Sequence, residues 1–241
     1  ILVDPNDWAT DGAVALDQWE PSPDGRRLAY AVQDGGSDWR TIKVADVKSG
    51  QPLADEIRWA KFTNIAWVGN EGFLYSRFAE PRKGEEFQAL NENQTLYFHR
   101  IGTPQEEDVA VYATPDRPKL GHSAQVTHDN RWVVITSSEG TDEKHEINLI
   151  SISSSRGKLL PVEQWKRRAL VQGLEYDWQL IEGIGDQIWF VTNRDAPRLK
   201  IVKADLTGEV AIFSDIISER KEPLARAQIV GDRLVLSYLE N

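Results

Sequence analysis

Short runs of alternating apolar and polar residues, each introduced by a turn sequence, recur along this chain. In the clearest case the turn Ser22-Pro23-Asp24-Gly25 precedes residues 27–32, where every second residue is large and apolar. Pro presets φ and Gly tolerates a positive φ, so Pro-Asp-Gly forms a tight turn. Alternation with period two is the pattern of a half-buried strand. The segment therefore predicts a turn followed by a β-strand.

The same pattern returns in weaker form after four later turns. The first apolar residue of each following run lies at position 28, 73, 133, 188 or 234, which gives intervals of 45, 60, 55 and 46 residues. Repeats of this length that contain strands are typical of β-propeller blades. No extended apolar stripe of helical period competes with this pattern, so the predicted class is all-β.

Each interval resolves into four short strands separated by Gly, Pro, Asn or Asp. We predict one β-propeller domain over 1–241, with four full blades of four antiparallel strands and a partial fifth. The blades cover roughly 14–58, 62–113, 122–172, 177–215 and 224–239. The predicted strands are 15–19, 27–32, 41–47, 52–58, 64–68, 72–78, 95–101, 108–113, 124–127, 132–137, 146–151, 168–172, 178–182, 187–192, 199–205, 211–214, 225–229 and 233–239.

The two ends of the chain leave two interpretations open. A further strand is predicted at 1–4, and only two strands follow the fourth blade. Either these three strands close a five-bladed ring, or the chain is part of a larger propeller. An open blade edge is able to pair with another chain, so the second interpretation includes self-association. The first residue is Ile rather than Met, which indicates a processed or cut start.

Composition excludes several kinds of function. The net charge is −10, which argues against nucleic acid as a partner, because such binding depends on Lys and Arg contacts to phosphate. Cys is absent, so there is no disulfide, thiolate zinc site or cysteine nucleophile. No apolar run approaches the roughly 20 residues of a membrane-spanning helix, and no signal peptide is recognised. The compartment stays undetermined.

The sequence offers little chemistry of its own. The Gly-x-Ser-x-Gly pentad of a serine hydrolase is absent, and its closest approximation, Gly36-Ser37-Asp38, is expected to be a hydrogen-bonded turn. The four His residues show no metal-ligand spacing, and no phosphate-binding loop occurs. We therefore expect no catalytic residue, no metal and no cofactor in this chain. His99 falls in a predicted strand, where a structural role is expected.

The tryptophans are interpreted as packing residues, with one exception. Trp19, Trp67, Trp132 and Trp189 lie in predicted strands and are expected to be wedged between blades. Trp39 lies near a turn, where its ring is able to stack on a ligand.

Several motifs, in order along the chain, resemble the prolyl oligopeptidase family of serine peptidases. The most specific are Gly36-Ser37-Asp38-Trp39 and the segment Gly102–Asp108 (Gly-Thr-Pro-Gln-Glu-Glu-Asp). Weaker similarity is carried by Leu2–Asn6, Asp11–Leu16, Ser22–Gly25, Lys61-Phe62 with Ala66-Trp67, and Ser138-Glu139-Gly140. The resemblance extends over nearly the whole chain.

The resemblance implies a part of a larger enzyme. Family members carry a seven-bladed propeller on an α/β-hydrolase domain that holds the catalytic Ser, Asp and His, and they are cytoplasmic or periplasmic. This chain matches a section of the propeller, and the hydrolase domain is the implied partner. In the family the propeller admits only short peptides to the active site. The implied role is therefore non-catalytic gating in a proline-specific endopeptidase, in a truncated or engineered piece.

The resemblance also nominates three binding residues. Asp38 matches a polar contact between propeller and catalytic domain, Phe62 an aromatic that lines the substrate pocket distal to the scissile bond, and Thr141 another residue of that pocket. The position of Ser138 carries Arg in some relatives. The alternatives are a turn cap for Asp38, core packing for Phe62 and a plain loop residue at Thr141.

Two other functions compete with gating. One is an independent or engineered five-bladed scaffold, closed by its terminal strands and without enzymatic activity. The other is a TolB-like binding module, which depends on the Ser-Pro-Asp-Gly turn alone.

Overall fold

The computed structural model describes residues 2–9, 13–85, 88, 90–154 and 157–240. Within these residues the chain forms eighteen strands and three short 3₁₀ turns. Part of the motif that begins at Asp11 lies outside the described residues. No helix in the described part has the length and apolar character that crossing a bilayer requires.

All eighteen predicted strands are present, with bounds that differ by a few residues. They are β1 Val14–Pro21, β2 Arg27–Asp34, β3 Arg40–Asp46, β4 Pro52–Ala60, β5 Ala66–Val68, β6 Gly72–Arg77, β7 Thr95–Arg100, β8 Val109–Ala113, β9 Leu120–Val126, β10 Trp132–Glu139, β11 Glu146–Ser151, β12 Lys166–Val171, β13 Trp178–Ile184, β14 Gln187–Thr192, β15 Lys200–Asp205, β16 Ile212–Ile217, β17 Leu224–Val230 and β18 Arg233–Tyr238.

The strands form consecutive antiparallel repeats of four. Repeats 1 to 4 are β1–β4, β5–β8, β9–β12 and β13–β16, and β17 pairs with β18 alone. Repeats 1 and 2 join into one sheet through a single pairing, Ala60 with Arg77. This is the arrangement expected from the turn spacing in the sequence.

The chain divides into two compact units, Ile1–Ala124 and Gln125–Asn241, and the boundary falls inside β9. Each unit has an apolar core made from the alternating faces of its strands. In the first unit the core includes Ile42, Ile57, Phe73 and Tyr75, all fully buried. The core of the second unit is built around Leu149, Trp178, Ile188 and Phe190.

The tryptophan predictions hold in part. Trp67 is buried, and its indole N–H donates to the carbonyl of Glu20, 2.9 Å away. Trp132 and Trp189 are half-buried. The prediction for Trp19 is wrong, because its side chain is 58% exposed. In β1 the half-buried residues are Val14, Leu16 and Gln18, and Trp19 lies on the exposed face that alternates with them.

The predicted strand at residues 1–4 is not formed at Leu2–Asp4. Instead, the carboxylate of Asp4 accepts the backbone N–H of Asn6, 3.0 Å away, and caps a 3₁₀ turn at Pro5–Asp7. Pro5 lacks an N–H to donate to a sheet, which favours the turn. Residue 1 lies outside the described residues, so closure of a fifth blade by the chain start stays a prediction.

The turn between β1 and β2 of repeat 1 is held by its own side chains and by the next repeat. Asp24 accepts the hydroxyl of Ser22 (2.7 Å) and the N–H of Arg26 (3.1 Å), while the Ser22 hydroxyl accepts the N–H of Arg27 (3.0 Å). The backbone N–H of Asp24 donates to the side chain of Asn70 in repeat 2, 3.1 Å away. Two turns of consecutive repeats are thereby hydrogen-bonded.

The turn between β9 and β10 repeats this geometry with different residues. Asp129 accepts the hydroxyl of Thr127 (2.7 Å) and the N–H of Arg131 (3.1 Å). Its other oxygen accepts the N–H of Gly185, in the corresponding turn of repeat 4, 2.9 Å away. The guanidinium of Arg131 also donates to Asp186 at 2.7 Å. The sequence repeat is therefore a structural repeat.

We predict that Asp129→Ala lowers the free energy of unfolding by about 1–2 kcal/mol, because three backbone or hydroxyl donors lose their acceptor at a turn. The measurement is chemical denaturation of the 241-residue chain. Asp232→Ala is the control, since Asp232 is in an equivalent turn but its side chain is 97% exposed. An equal loss in both variants would contradict the role given to Asp129.

Candidate functional site

The end of β4 and the segment that follows it have an unusual backbone. Trp59 and Phe62 both have a positive φ, 62° and 50°, which is rare for bulky residues without a special reason. Such residues cost on the order of 1–3 kcal/mol each and persist only where their surroundings hold them. The segment is therefore a place where the fold maintains strain.

Gln94 is the side chain that holds this segment. Its amide nitrogen donates to the carbonyls of Lys61 (2.8 Å) and Phe62 (3.2 Å), and its amide oxygen accepts the N–H of His122 at 2.5 Å. Gln94 is 1% exposed, so these bonds form in an environment where an unmatched amide would be costly. One buried glutamine thus fixes two consecutive peptide groups, those before and after the Cα of Phe62.

The ammonium group of Lys61 connects the two sequence-predicted residues of the first unit. It lies 4.9 Å from the ring centre of Trp39 and 5.1 Å from that of Phe62. A carboxylate oxygen of Asp38 lies 3.8 Å from the same nitrogen. The side chain of Lys61 is 10% exposed, so the cation is largely enclosed by two rings and one carboxylate.

Phe62 does not pack in the core: it is 53% exposed, which rules out the core-packing alternative. Asp38 is also exposed to solvent, with 58% of its side chain accessible. The neighbouring hydroxyl of Ser37 accepts the N–H of Trp39 at 3.1 Å, which confirms Ser37 as a turn residue. The first unit therefore presents an aromatic ring and a carboxylate to solvent, side by side on Lys61.

An open cavity of about 620 Å³ lies beside this group. Trp39 forms one wall and contacts Trp59 edge-on, with ring centres 5.5 Å apart. Four of the charged groups in the wall are paired: Arg40 makes a double hydrogen bond with Asp17, and Lys43 and Arg58 both pair with Glu56. The remaining walls come from strands β1 to β4 and the β2–β3 turn: Val14, Val32, Asp34, Gly35, Ser37, Thr41, Lys43, Glu56 and Arg58.

Thr141 belongs to the second unit. It is exposed in the turn between β10 and β11, beside Gly140, which has a φ of 58°. It lines a separate cavity of about 630 Å³ in that unit. The structure thus brings Asp38 and Phe62 together through Lys61, and it places Thr141 on a loop of the other unit.

His99 is at the centre of a fully buried polar cluster in the first unit. Its Nδ1 lies 2.7 Å from a carboxylate oxygen of Asp108, and its Nε2 lies 3.0 Å from one of Asp55. The hydroxyl of Tyr75 donates to the other oxygen of Asp108 at 2.7 Å. The backbone N–H of Gly102 donates to Asp55 at 2.6 Å. The structural role expected for His99 is confirmed.

The two carboxylates make the imidazole a cation. Burial by itself lowers the pKa of His99, but hydrogen bonds with Asp108 and Asp55 outweigh burial and raise the pKa to about 9. Burial likewise raises the pKa of Asp55, and the hydrogen bonds from His99 and Gly102 reverse this, so the net direction is downward. Burial, with the charge of Asp108, raises the pKa of Tyr75. The cluster therefore holds one positive charge between two negative ones, away from solvent.

The Gly102–Asp108 motif supplies two of the four groups around His99, Gly102 and Asp108. Gly102 and Asp108 act as described above, and Gln105 pairs with the backbone of Arg58: it accepts that residue's N–H at 3.0 Å and donates to its carbonyl at 2.9 Å. The motif thereby ties the end of repeat 2 to strand β4 of repeat 1. These contacts explain the residue types at three positions of the motif: Gly102, Gln105 and Asp108.

One hydroxyl does lie against an imidazole in the first unit. The Oγ1 atom of Thr114 is 3.2 Å from Nε2 of His122, and 3.3 Å from the carbonyl of Arg117. His122 is 2% exposed and packs edge-on against Tyr112. The pair supports the turn after β8 and offers no access for a substrate. Among the described residues, no group of three or more His, Asp or Glu is placed to hold a metal ion.

Two supporting residues escaped prediction from the sequence. Lys61 was noted only as part of a motif, and Gln94 was not singled out. No local pattern marks Gln94, because its partners at 61, 62 and 122 are distant in sequence. Lys61 is adjacent to Phe62 in a segment between two predicted strands, and this position is the signal from which Lys61 could be identified.

Antiparallel four-stranded repeats of about fifty residues, joined through their turns, define the propeller class of all-β proteins. A family model described as the N-terminal β-propeller domain of prolyl oligopeptidase matches residues 1–241. The chain belongs to this family, and its resemblance to prolyl oligopeptidases is confirmed.

Characterised relatives are prolyl peptidases of which this chain covers about a third. The prolyl endopeptidase of Elizabethkingia meningoseptica is 28% identical over 227 residues, which are 93% of this chain and 30% of the relative. The dual function macrocyclase-peptidase of Galerina marginata is 30% identical over 234 residues, 92% of this chain and 31% of that protein.

Solved structures give the same result. One belongs to a structural and mechanistic study of two prolyl endopeptidases and the role of inter-domain dynamics; it is 49% identical, with a TM-score of 0.89, and covers 100% of this chain and 32% of its own. Prolyl oligopeptidase B from Galerina marginata, bound to a 35mer hydrolysis and macrocyclization substrate, is 28% identical with a TM-score of 0.87, over 98% of this chain and 34% of its own. In these structures the propeller is joined to a catalytic domain in the same chain.

We predict that the stability of the chain falls as the pH rises from neutral through about 9. The pKa of His99 is raised from 6.5 to about 9 on folding, so its contribution is complete below pH 6.5 and is lost as the pH passes the folded value. A shift of this size corresponds to on the order of 3 kcal/mol. The measurement is the denaturation midpoint between pH 6 and 10.

His99→Gln removes the titrating group and is expected to flatten the profile in this window. His128→Gln is the matched control, because His128 is exposed in a turn. An alkaline decline that is unchanged in His99→Gln would assign the loss to other groups.

Proposed function

We propose that this chain is the propeller of a proline-specific serine peptidase and that it limits which peptides reach the catalytic domain. The observation that carries the proposal is the match of a peptidase propeller family over the whole chain, combined with relatives three times its length. In this proposal the propeller selects by size: it admits short peptides and excludes folded proteins. An independent scaffold is not favoured, because the matched structures carry the propeller within a peptidase.

In this proposal the chain itself performs no bond cleavage. The catalytic Ser, Asp and His belong to an α/β-hydrolase domain that packs against the propeller. The chain supplies four four-stranded blades, and β17 with β18 contribute to a further one. The unpaired edges of that two-stranded sheet are then covered by the next strand of the same protein, or by another copy when it is missing.

The exposed group around Lys61 provides the contacts with substrate and partner domain. The half-exposed ring of Phe62 offers an apolar surface to a peptide side chain distal to the scissile bond, as the family resemblance implies. Asp38 accepts a donor of the catalytic domain, and Lys61 keeps the ring and the carboxylate at a fixed separation. Thr141, on a loop of the second unit, contributes a hydroxyl to peptide binding, as the family resemblance implies.

The test of the proposal is a chimera in which residues 1–241 replace the corresponding third of the 49% identical peptidase. We expect it to cleave a short chromogenic peptide after proline, and to leave the same sequence uncut when it lies inside a folded protein. The 241-residue chain alone is expected to give no turnover. Turnover by the chain alone that a serine-reactive inhibitor abolishes would overturn the proposal, as would equal cleavage of short and folded substrates by the chimera.

We further predict that Phe62→Ala lowers kcat/KM of the chimera about tenfold for peptides long enough to reach the distal pocket. Covering a phenyl side chain contributes about 1.5–3 kcal/mol, and the substrate loses part of this contact. Peptides too short to reach the pocket are expected to be unaffected.

Trp19→Ala is the control, because Trp19 is an aromatic of similar exposure in the same unit, 58% against 53%. If both variants reduce kcat/KM alike, or if short and long peptides respond equally to Phe62→Ala, Phe62 does not contact the substrate.

A further inference from the structure

Four consecutive backbone carbonyls, those of residues 61–64, each accept a hydrogen bond from a side chain. Gln94 supplies the donor to the first two, at 2.8 and 3.2 Å. The amide of Gln18, in β1, donates to the carbonyl of Thr63 at 3.1 Å, and the Thr63 hydroxyl donates to the carbonyl of Asn64 at 3.0 Å. The segment lies between β4 and β5, so side chains rather than strand pairing decide the path of its backbone.

The same segment is tied to strand β9, which is an edge strand of its sheet. The side-chain amide of Asn64 donates to the carbonyl of Ala124 at 2.5 Å and accepts the N–H of Ala124 at 3.2 Å, as the backbone of a neighbouring strand would. Two residues earlier on β9, the N–H of His122 donates to the amide oxygen of Gln94. The Ser76 hydroxyl donates to the carbonyl of His122 at 2.6 Å. The segment and β9 are therefore fixed to each other.

Gln94 acts directly on the conformation of Phe62. The two carbonyls that it binds belong to the peptide groups before and after the Cα of Phe62. Peptide groups are planar, so one amide that binds both of them fixes the rotation between the two planes, which φ and ψ describe. Gln94 is 1% exposed, so water does not compete for its donors. A phenylalanine with a φ of 50° persists where its surroundings hold it, and Gln94 meets that condition.

We propose, on the basis of the proposed contact between Phe62 and substrate, that Gln94 is the positioning residue for this contact. Gln94 is buried and does not touch the peptide itself. It keeps Phe62 in the left-handed region, where the ring is 53% exposed. In the conformations that phenylalanine ordinarily adopts, the side chain leaves the Cα in another direction. Loss of Gln94 therefore moves the ring away from the surface that a peptide meets, although Phe62 is still present.

The first measurement is NMR of the unmodified 241-residue chain. A positive φ brings the amide proton and the Hα proton of one residue close together, so Phe62 is expected to show a strong NOE between these two protons. The side-chain amide protons of Gln94 are expected to exchange slowly with solvent, because they are buried and hydrogen-bonded. Absence of the strong Phe62 NOE in the unmodified chain would overturn the proposal.

The second measurement uses Gln94→Met, which keeps the length of the side chain and removes its donors and its acceptor. We expect the Phe62 NOE to weaken in the chain. In the chimera, kcat/KM for peptides that reach the distal pocket is expected to fall about tenfold, as in Phe62→Ala, because the same apolar contact is lost. The change is expected in KM, since the contact is made equally in the ground state and the transition state. Shorter peptides are expected to be unaffected. An unchanged NOE or unchanged long-peptide kinetics in the folded variant would contradict the role of Gln94.

Gln18→Met is the matched control. It makes the same chemical change and removes a bond to the same segment, but this bond is to the carbonyl of Thr63. Both bonds from Gln94 to the peptide groups of Phe62 remain, so we expect the NOE and the kinetics to be unchanged. Equal effects of Gln18→Met and Gln94→Met would indicate a general loosening of the segment and would overturn the specific role of Gln94.

The double variant of Gln94→Met with Phe62→Ala tests whether Gln94 acts through Phe62. Once the ring is absent, a positioning residue has nothing left to position. The double variant is therefore expected to equal Phe62→Ala in kcat/KM for long peptides. If the losses of the two substitutions add, Gln94 affects the substrate by another route and is not the positioning residue for Phe62.

Gln94→Glu is a second variant for the case that Gln94→Met does not fold. Its carboxylate accepts the N–H of His122 but, when ionised, cannot donate to the two carbonyls, so the same losses are expected. Failure of both variants to fold would assign Gln94 to the fold alone and would overturn the proposal. Failure of the proposed function looks different: Phe62→Ala then leaves long peptides unaffected, while the Phe62 NOE in the chain still reports on Gln94.

Discussion

The structure depends on how the turns at one end of each four-stranded repeat satisfy their backbone N–H groups. In two places a carboxylate binds its own turn, and the turn is bonded in addition to the next repeat: at Asp24 with Asn70, and at Asp129 with Gly185. A backbone donor left without an acceptor costs on the order of 1–3 kcal/mol, so a repeat in the wrong position loses several bonds together. Apolar strand faces alone tolerate sliding, and these polar connections specify the register between repeats.

The charged cluster around His99 makes a connection of the same kind within the core. It joins Asp55 of β4, in repeat 1, to His99 and Asp108 of repeat 2. Replacing such a buried ionic group by apolar residues is often neutral for stability, so its presence is better explained by specificity than by energy. Because every member has a partner, the cluster admits one relative position of these strands. The Gly102–Asp108 motif contributes to this specificity through the Gly102 N–H and the Asp108 carboxylate.

The strands from β1 to β18 were predictable because period-two alternation and turn residues are local signals, whereas the strand expected at residues 1–4 is not formed at Leu2–Asp4. Trp19 shows where local signals end: its residue type predicts burial, but it lies on the exposed face of β1. For the site, individual residues were predictable, but the contacts between them were not. Asp38 and Phe62 came from family resemblance, whereas their link through Lys61 and the support from Gln94 depend on tertiary contacts over about thirty residues.

Folding does not account for the conformation of Phe62. A phenyl group that is 53% exposed gains little from burial, and its φ of 50° adds strain. Leaving the left-handed region would relieve that strain, yet Gln94 binds the carbonyls of Lys61 and Phe62, on either side of the Phe62 Cα, and the Lys61 ammonium lies 5.1 Å from the ring centre. Two buried polar side chains are thus arranged to keep an apolar ring in water. An arrangement that costs stability and supports an exposed apolar surface is what a contact site requires, and this favours a role for Phe62 with a partner over a role in the fold.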